Sequence, residues 1–262
     1  MSAEAHARDE FIDFCHGVRR LTGIDLTQYK RRQMERRVRT FADRRAHDLT
    51  SYLQAITVDR AELNDFLDRV TINVSQLWRN PEQWKRLGEM IPDLAEAGTL
   101  RAWSAGCSYG AEAYTLAALA REVAPGASLD ILGTDIDARM VERAREGRFT
   151  ADDARSAPAH LVTRWFDRDG DGWQAKPELR LVTKFQVGDL LRDRVADARF
   201  DLILCRNVVI YFTEPVRDAL HRRLVAALRP GGYLMVGSSE RVADARGAGL
   251  DTPFPFIYRK AA

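Results

Sequence analysis

The chain has 262 residues, with 40 Lys and Arg against 38 Asp and Glu, a formal net charge of +2, 45% hydrophobic and 30% charged residues. That length accommodates one large domain, or a small and a medium one, and the near-neutral charge argues against a whole-molecule attraction to nucleic acid. Cys15, Cys107 and Cys205 are far apart and odd in number, the five histidines show no ligand spacing, and no apolar run reaches the ~18 residues of a membrane span; a disulfide scaffold, a catalytic zinc site and membrane insertion are therefore not expected.

The amino terminus, MSAEAHARDE, has no apolar signal core, which reads as a cytoplasmic protein. From about residue 7 to 72 the pattern is helical, with Phe11, Phe14, Cys15 and Val18, and again Leu63, Phe66, Leu67 and Val70, at three- and four-residue spacing. Within it, residues 30 to 45 (KRRQMERRVRTFADRR) hold eight Lys/Arg against Glu35 and Asp43. At ~100° per residue Met34, Val38 and Phe41 share one face of this helix, and Arg32, Arg36 and Arg39 share the opposite one. The basic face has a plain reading as a solvated surface with pairs such as Glu35 to Arg39.

A polar stretch, 73–80, leads to a helix from Pro81 to Glu96. Strands at 100–104, 129–134, 181–187 and 200–205 then alternate with helices at 111–123, 137–146 and 214–228, and a turn at Arg229-Pro230-Gly231-Gly232 precedes a strand at 233–237 and a last strand near 254–259. The expected fold is α/β, a doubly wound, mostly parallel sheet. Residues 150–180 interrupt the alternation, and the aromatic-flanked turn in RWFDRDGDGWQAKPELRL predicts an inserted antiparallel hairpin. The same segment matches the calcium-loop formula at Asp167, Asp169, Asp171, Gly172 and Glu178, but Gln174 and Pro177 speak against such a loop.

Residues 101–137 form a strand, a glycine-bearing turn, a helix and a second strand ending on Asp135, the layout of half a nucleoside-cofactor site. The turn has Gly106 and Gly110 but not the three-glycine series that cradles a pyrophosphate, which disfavours NAD. S-adenosylmethionine has no phosphate. Gly106 and Gly110 give it room, Glu112 suits its α-amino group, Asp135 its ribose, and Asp189 in VGDLL its adenine. Two glycines and an acid recur in many α/β proteins, so other nucleosides stay open on this motif alone.

The segment FDLILCRNVVIYF, residues 200–212, is an apolar strand ending on the polar step Arg206-Asn207. With LRPGGYLMVGSSE (228–240), TINVSQLWRNPEQW (71–84), WSAGCSYGAEAY (103–114) and GTDID (133–137), it resembles the chemotaxis-receptor glutamate methyltransferases, the CheR family, over nearly the whole chain. The resemblance implies a class I methyltransferase (Rossmann-like) domain at 76–262 with a small inserted β-subdomain near 160–185, behind an all-helical receptor-docking domain at 1–75. It implies S-adenosylmethionine as donor, S-adenosylhomocysteine as product, and the cytoplasmic helices of chemoreceptors as substrate, for a monomeric enzyme. By the same likeness Asn73, Ser75 and Arg79 border the methyl-transfer site. Glu112, Asp135, Asp189, Leu190, Asn207 and Val208 hold the cofactor, Tyr211 stands beside the substrate with Arg79, and Arg32, Arg36 and Arg39 dock the receptor. Where the family shows GEEPYS this chain has GAEAYT, which leaves Glu112 as the sole acid there, and position 189 is aspartate where many members have asparagine. The insert looks a few residues shorter than in members that grip a receptor's carboxyl-terminal pentapeptide, so pentapeptide-independent action is expected.

Plainer roles are expected of other residues. Asp137 reads as the cap of its helix, Cys107 and Cys205 as small fillers, Phe212 as a core aromatic, and Trp78 and Trp84 as packing between the domains. Two other functions compete with this one. A nucleic-acid base methyltransferase calls for an Asn/Asp-Pro-Pro-aromatic step that Asn207-Val-Val-Ile-Tyr211 lacks, and a non-catalytic receptor-binding module would keep the fold without methyl transfer.

Overall fold

A computed structural model of the chain describes residues 9–45, 47–71, 73–96 and 98–261. Residues 1–8, 46 and 72 of the expected amino-terminal domain, with the start of its helical pattern at residue 7, lie outside the described residues. The fold divides into two compact units, the residues up to Thr71 with Tyr211–Thr213, and the remainder from Asn73 onward.

The first unit is helical: α1 (Glu10–Thr22), α2 (Arg31–Arg44), α3 (Leu49–Val58) and α4 (Arg60–Val70). Local chemistry sets the boundaries. Asp9, Asp48 and Asp59 each accept a backbone N–H of the first turn of α1, α3 and α4, and Gly23 ends α1 at φ +80°. Phe14, Tyr52 and Phe66 meet at ring-centroid distances of 5.9 to 6.1 Å and form the centre of the core. On α2 the buried positions are Met34, Val38 and Ala42. The expected Phe41 is instead half-buried beneath the Arg69 guanidinium, 5.1 Å from its ring. Arg32, Arg36 and Arg39 are all exposed, and Arg39 also donates to Glu35 at 3.0 Å and to Glu10 at 3.2 Å.

Residues Tyr211–Thr213 belong to this unit through short backbone pairing. Lys30 N donates to Tyr211 O at 2.9 Å and Thr213 N to Gln28 O at 3.0 Å. Phe212 packs edge-on against Tyr29, with centroids 5.0 Å apart, which is the core role expected of it.

The second unit opens with α5 (Pro81–Glu96), with proline in its first turn as expected, and continues through β1 (Leu100–Ala105), α6 (Ala111–Val123), β2 (Leu129–Asp135), α7 (Ala138–Glu146), β3 (Arg148–Phe149), α8 (Ala159–Trp165), β4 (Phe166–Asp169), β5 (Gly172–Ala175), α9 (Pro177–Arg180), β6 (Thr183–Val187), β7 (Phe200–Cys205), α10 (Glu214–Ala227), β8 (Leu228–Val236), β9 (Leu250–Phe254) and β10 (Ile257–Lys260). Among the described residues these strands form a seven-stranded sheet of order β6-β2-β1-β7-β8-β10-β9. Its pairs are parallel from β6 to β8, and β10 is antiparallel to both of its neighbours. The parallel strands are covered by helices, so β7 is buried at every position and reads as a continuous apolar run. No helix among the described residues is long and apolar enough to cross a membrane.

Two details differ from the sequence reading. The expected single last strand is a hairpin, β9 and β10; Pro253 fits because β9 is the sheet's outer edge, where a missing N–H costs nothing. The turn expected at 229–232 is absorbed into β8 as an irregularity, its partners stepping from Leu228 opposite Phe200 to Tyr233 opposite Leu202.

The insertion is a three-stranded antiparallel sheet, β3-β5-β4. The expected hairpin is β4 and β5, closed by Gly170 and Asp171, with β3 added on the far side of β5. Phe166 and Phe149 fasten it to the core through Trp78 and Tyr114. Of the acids of the calcium-like formula, Asp167, Asp169 and Asp171 lie along this hairpin and Glu178 on α9, and Asp169 pairs with Arg148 at 3.1 Å. Trp78 and Trp84, expected between domains, lie in the core of this second unit.

Candidate active site

From β1 the chain winds outward through β2 and β6, and from β7 it winds the other way, so the winding reverses between β1 and β7. At such a switch point the loops leaving the strands' carboxyl ends part and open a crevice for a ligand. The loops here are 106–110 after β1 and 206–210 after β7.

The first loop is built around Asp135 at the end of β2. Gly106 N and Cys107 N both donate to Thr134 O at 2.9 Å, and Ser108 N donates to Asp135 Oδ2 at 2.8 Å. Asp135 Oδ1 accepts Asp137 N at 3.0 Å, while Asp137 itself caps α7, as expected, by accepting Arg139 N. Gly106 has φ +81°, and a Cβ there would stand 2.5 Å from Val208 Cγ2, so glycine is what lets the two loops approach. Asp135 is 9% exposed. Burial pushes its carboxyl above the ordinary range, and the surrounding backbone N–H groups oppose that shift.

Glu112 stands in the first turn of α6, where the unpaired N–H groups favour an anion. Its Oε1 accepts Ser104 Oγ at 2.7 Å and its Oε2 accepts Arg206 Nη1 at 3.3 Å. Burial raises this carboxyl, with the Arg206 charge acting against it. A carboxylate has about four acceptor sites. Glu112 and Asp135 do not fill all of these within the chain, which leaves acceptor capacity for an ammonium and for ribose hydroxyls. Two partly occupied buried acids beside a glycine-lined turn fit S-adenosylmethionine.

Arg206 is 7% exposed, and its guanidinium also donates to Gln83 Oε1 at 2.8 Å, Asn80 Oδ1 at 3.0 Å and Arg79 O at 2.7 Å. It lies over the Trp84 ring, and Trp84 Nε1 donates to the same Arg79 carbonyl at 2.9 Å. The loop after β7 is held by a further buried acid, Glu240. Its Oε2 accepts Asn207 N at 2.8 Å and Gly237 N at 2.7 Å, and its Oε1 accepts Ile210 N at 3.3 Å. Asn207 can therefore hold φ +60°.

The segment 73–80 runs past the same crevice. Asn73 Nδ2 donates to Asp137 Oδ2 at 3.1 Å, and Ser108 Oγ donates to Asn73 Oδ1 at 3.4 Å. Tyr109 donates to the Ser75 carbonyl and contacts Asp153 Oδ1 at 2.8 Å, and Leu77 N donates to Asp153 O at 2.9 Å. Arg79 is half-buried and its Nη1 donates to Val74 O at 2.9 Å.

The structure thus brings Asn73, Gly106, Glu112, Asp135, Asn207 and Val208 to the carboxyl ends of the parallel strands. Asp189 follows Gly188, whose N–H donates to Asp135 O at 2.9 Å; one Asp189 oxygen accepts Leu191 N at 2.8 Å, and Leu190 beside it is half-buried. Ser75 and Arg79 lie on the segment just described. Tyr211 is placed in the helical unit, where the Arg37 guanidinium lies 6.0 Å from its ring. Arg206, Glu240, Gln83 and Tyr109 went unassigned in the sequence. The signal was there for the first: an arginine ending an otherwise apolar buried strand demands acceptors.

Comparison with known proteins agrees with this geometry. Residues 73–249 match the model of the CheR methyltransferase, SAM binding domain, and residues 9–71 that of the CheR methyltransferase, all-alpha domain. The chain is 35% identical over 255 residues to a chemotaxis protein methyltransferase of Listeria innocua, covering 96% of this chain and 97% of that one. It is 34% identical to the Listeria monocytogenes protein of the same name, with the same coverage, and 32% identical to chemotaxis protein methyltransferase 1 of Pseudomonas aeruginosa, covering 73% and 75%. With the switch-point crevice, its two buried acids and both family domains in order, the chain belongs to the CheR methyltransferase family, whose methyl donor is S-adenosylmethionine.

Proposed function

We propose that this protein transfers a methyl group from S-adenosylmethionine to glutamate side chains on the cytoplasmic helices of chemoreceptors, forming glutamate methyl esters. The observation that carries this reading is the pair of buried acids, Glu112 and Asp135, at the switch point, on a chain whose relatives are named chemotaxis protein methyltransferases.

Glu112 receives the donor's α-ammonium and Asp135 its ribose hydroxyls. Asn73, Ser75, Asp189, Leu190, Asn207 and Val208 line the donor, with Gly106 giving it clearance. S-adenosylmethionine supplies a methyl group on a positively charged sulfur. The acceptor glutamate, with an ordinary pKa of about 4.3, is already an anion at neutral pH and needs no general base. Its carboxylate oxygen forms the new bond to the methyl carbon as the carbon–sulfur bond breaks and that electron pair goes to sulfur, leaving S-adenosylhomocysteine and a neutral ester. Alignment is then the main task, and positioning of this kind is worth roughly 7 to 11 kcal/mol in favourable cases. Arg79 orients the acceptor carboxylate through its two-pronged guanidinium, and Tyr211 through its hydroxyl. A receptor helix rich in glutamate suits the exposed Arg32 and Arg36. Arg39, exposed beside them, adds to the same basic face while also pairing with Glu35 and Glu10. The enzyme acts as a cytoplasmic monomer, without a receptor pentapeptide, on protein and not on nucleic acid.

The direct test is incubation with labelled S-adenosylmethionine and receptor-containing membranes. Base-labile label on the receptor is expected, since carboxyl methyl esters hydrolyse in alkali; label that survives alkali, or none, contradicts the reading. Arg79→Ala should lower the methylation rate on the order of a hundredfold while changing S-adenosylhomocysteine affinity little; equal losses in both would remove Arg79 from the acceptor side. Reversing both Arg32 and Arg36 to glutamate should weaken receptor methylation and flatten its salt dependence with donor affinity intact, and an unchanged rate at low salt would refute the docking role.

A further inference from the structure

We infer that Arg206 is a positioning residue that serves both halves of the reaction: its charge fixes Glu112 for the donor, and its fork fixes the turn that carries Arg79 for the acceptor. This rests on the assignment of Glu112 to the donor's ammonium.

Two features carry the inference. The first is how the guanidinium is shared. Nη1 faces Glu112 at 3.3 Å, whereas Nη2 reaches Arg79 O at 2.7 Å and Asn80 Oδ1 at 3.0 Å, and Nε joins Nη2 on Gln83 Oε1. One planar group thus spans α6, α5 and the Arg79-Asn80 turn, a span that lysine, as a single point donor, does not reproduce. Gln83 in turn donates to Val236 O at 3.1 Å, which ties the group to β8.

The second feature is the turn itself. Trp78 has φ +54° and Asn80 φ +60°, so Arg79 sits between two left-handed residues. Asparagine tolerates that conformation; tryptophan adopts it only when its surroundings compel it. The compelling contacts are Trp78 N to Thr115 Oγ1 at 3.1 Å and the Arg206 and Trp84 donors on Arg79 O. Without the fork, the direction in which Arg79 leaves the turn is no longer set.

The electrostatic surroundings agree. The charged and titratable groups that act on Glu112 and Arg206 are each other, Glu240 and Arg79, and the buried thiols Cys107 and Cys205 lie within reach of Glu112's charge. Arg206 is the cation that opposes the effect of burial on Glu112. A carboxylate raised by burial is protonated as pH falls, and removing its cation moves that protonation to higher pH.

The test measures S-adenosylhomocysteine binding by calorimetry across pH, with methylation rate at saturating donor alongside. In Arg206→Met the dissociation constant should rise about tenfold as pH is lowered, at a pH where the wild-type profile is still flat, and Arg206→Met/Glu112→Gln should bind weakly without that slope. Arg206→Lys keeps the charge and should keep the flat profile, yet its rate should fall about tenfold because the fork is lost. A folded Arg206→Met with a flat profile overturns the charge role, and a wild-type rate in Arg206→Lys overturns the fork role. If Arg206→Met does not fold, the lysine variant decides: a flat profile with a reduced rate supports the inference, and a wild-type rate refutes it. Glu112→Gln separates the two levels. If it binds S-adenosylhomocysteine as tightly as the wild type does, the Glu112 assignment falls and the inference with it; weakened binding in Glu112→Gln with no slope in Arg206→Met removes the inference alone.

Discussion

A guanidinium buried at the carboxyl end of a central strand has to find acceptors, and the active-site half of this molecule is organised around that demand. Arg206 meets it with four acceptor atoms, on Gln83, Glu112, Asn80 and the Arg79 backbone. Losing one member of such a buried pair costs roughly 3 to 5 kcal/mol, whereas an apolar replacement of the whole set is often neutral. A network of this kind therefore contributes little to net stability and much to geometry. Glu240 does the equivalent for the adjoining loop with three backbone N–H groups, and a Cβ at Gly237 would stand 2.6 Å from its Oε2, so the two residues are matched.

The division of labour follows from topology. The reversal of winding between β1 and β7 opens the crevice, and the acids at its edge are supplied by the turn of α6 and the end of β2. Segment 73–80 enters the same place anchored at both ends, by Tyr109 and Asp153 near Ser75 and by Arg206 at Arg79. The proposed donor-side acids thus rest on the turn of α6 and the end of β2, and the proposed acceptor-side arginine rests on an irregular, strained turn fixed by its neighbours. Loop backbone held by a rigid scaffold is where binding groups are expected.

Much of this was legible in the sequence. The alternation of apolar runs with amphipathic stretches located the parallel strands, most clearly β7, which is buried on both faces and is a continuous apolar block, whereas the edge strand β6 buries only Thr183 and Phe185. The strand-turn-helix-strand pattern located Gly106, Glu112 and Asp135 at the switch point, and their roles toward a donor stand as the proposal. What escaped depends on contacts between distant segments. No local pattern shows that Arg39 meets Glu10, that Trp78 and Trp84 fill the core of a single unit, or that Pro253 lies on an outer edge strand. Arg206 and Glu240 lay inside recognised blocks, yet their roles required knowing that β7 and β8 are neighbours and end at the same level, Cys205 opposite Val236.

In the proposed reaction Glu112 and Asp135, supported by Arg206, hold the methyl donor at the switch point. A crystal structure of the protein with S-adenosylhomocysteine bound tests it most directly. The account predicts the α-ammonium within hydrogen-bond distance of Glu112, the ribose hydroxyls on Asp135, and Arg206 still joined to Glu112 and Arg79. A ligand that leaves both acids uncontacted, or an Arg206 side chain turned away from Glu112, would contradict it.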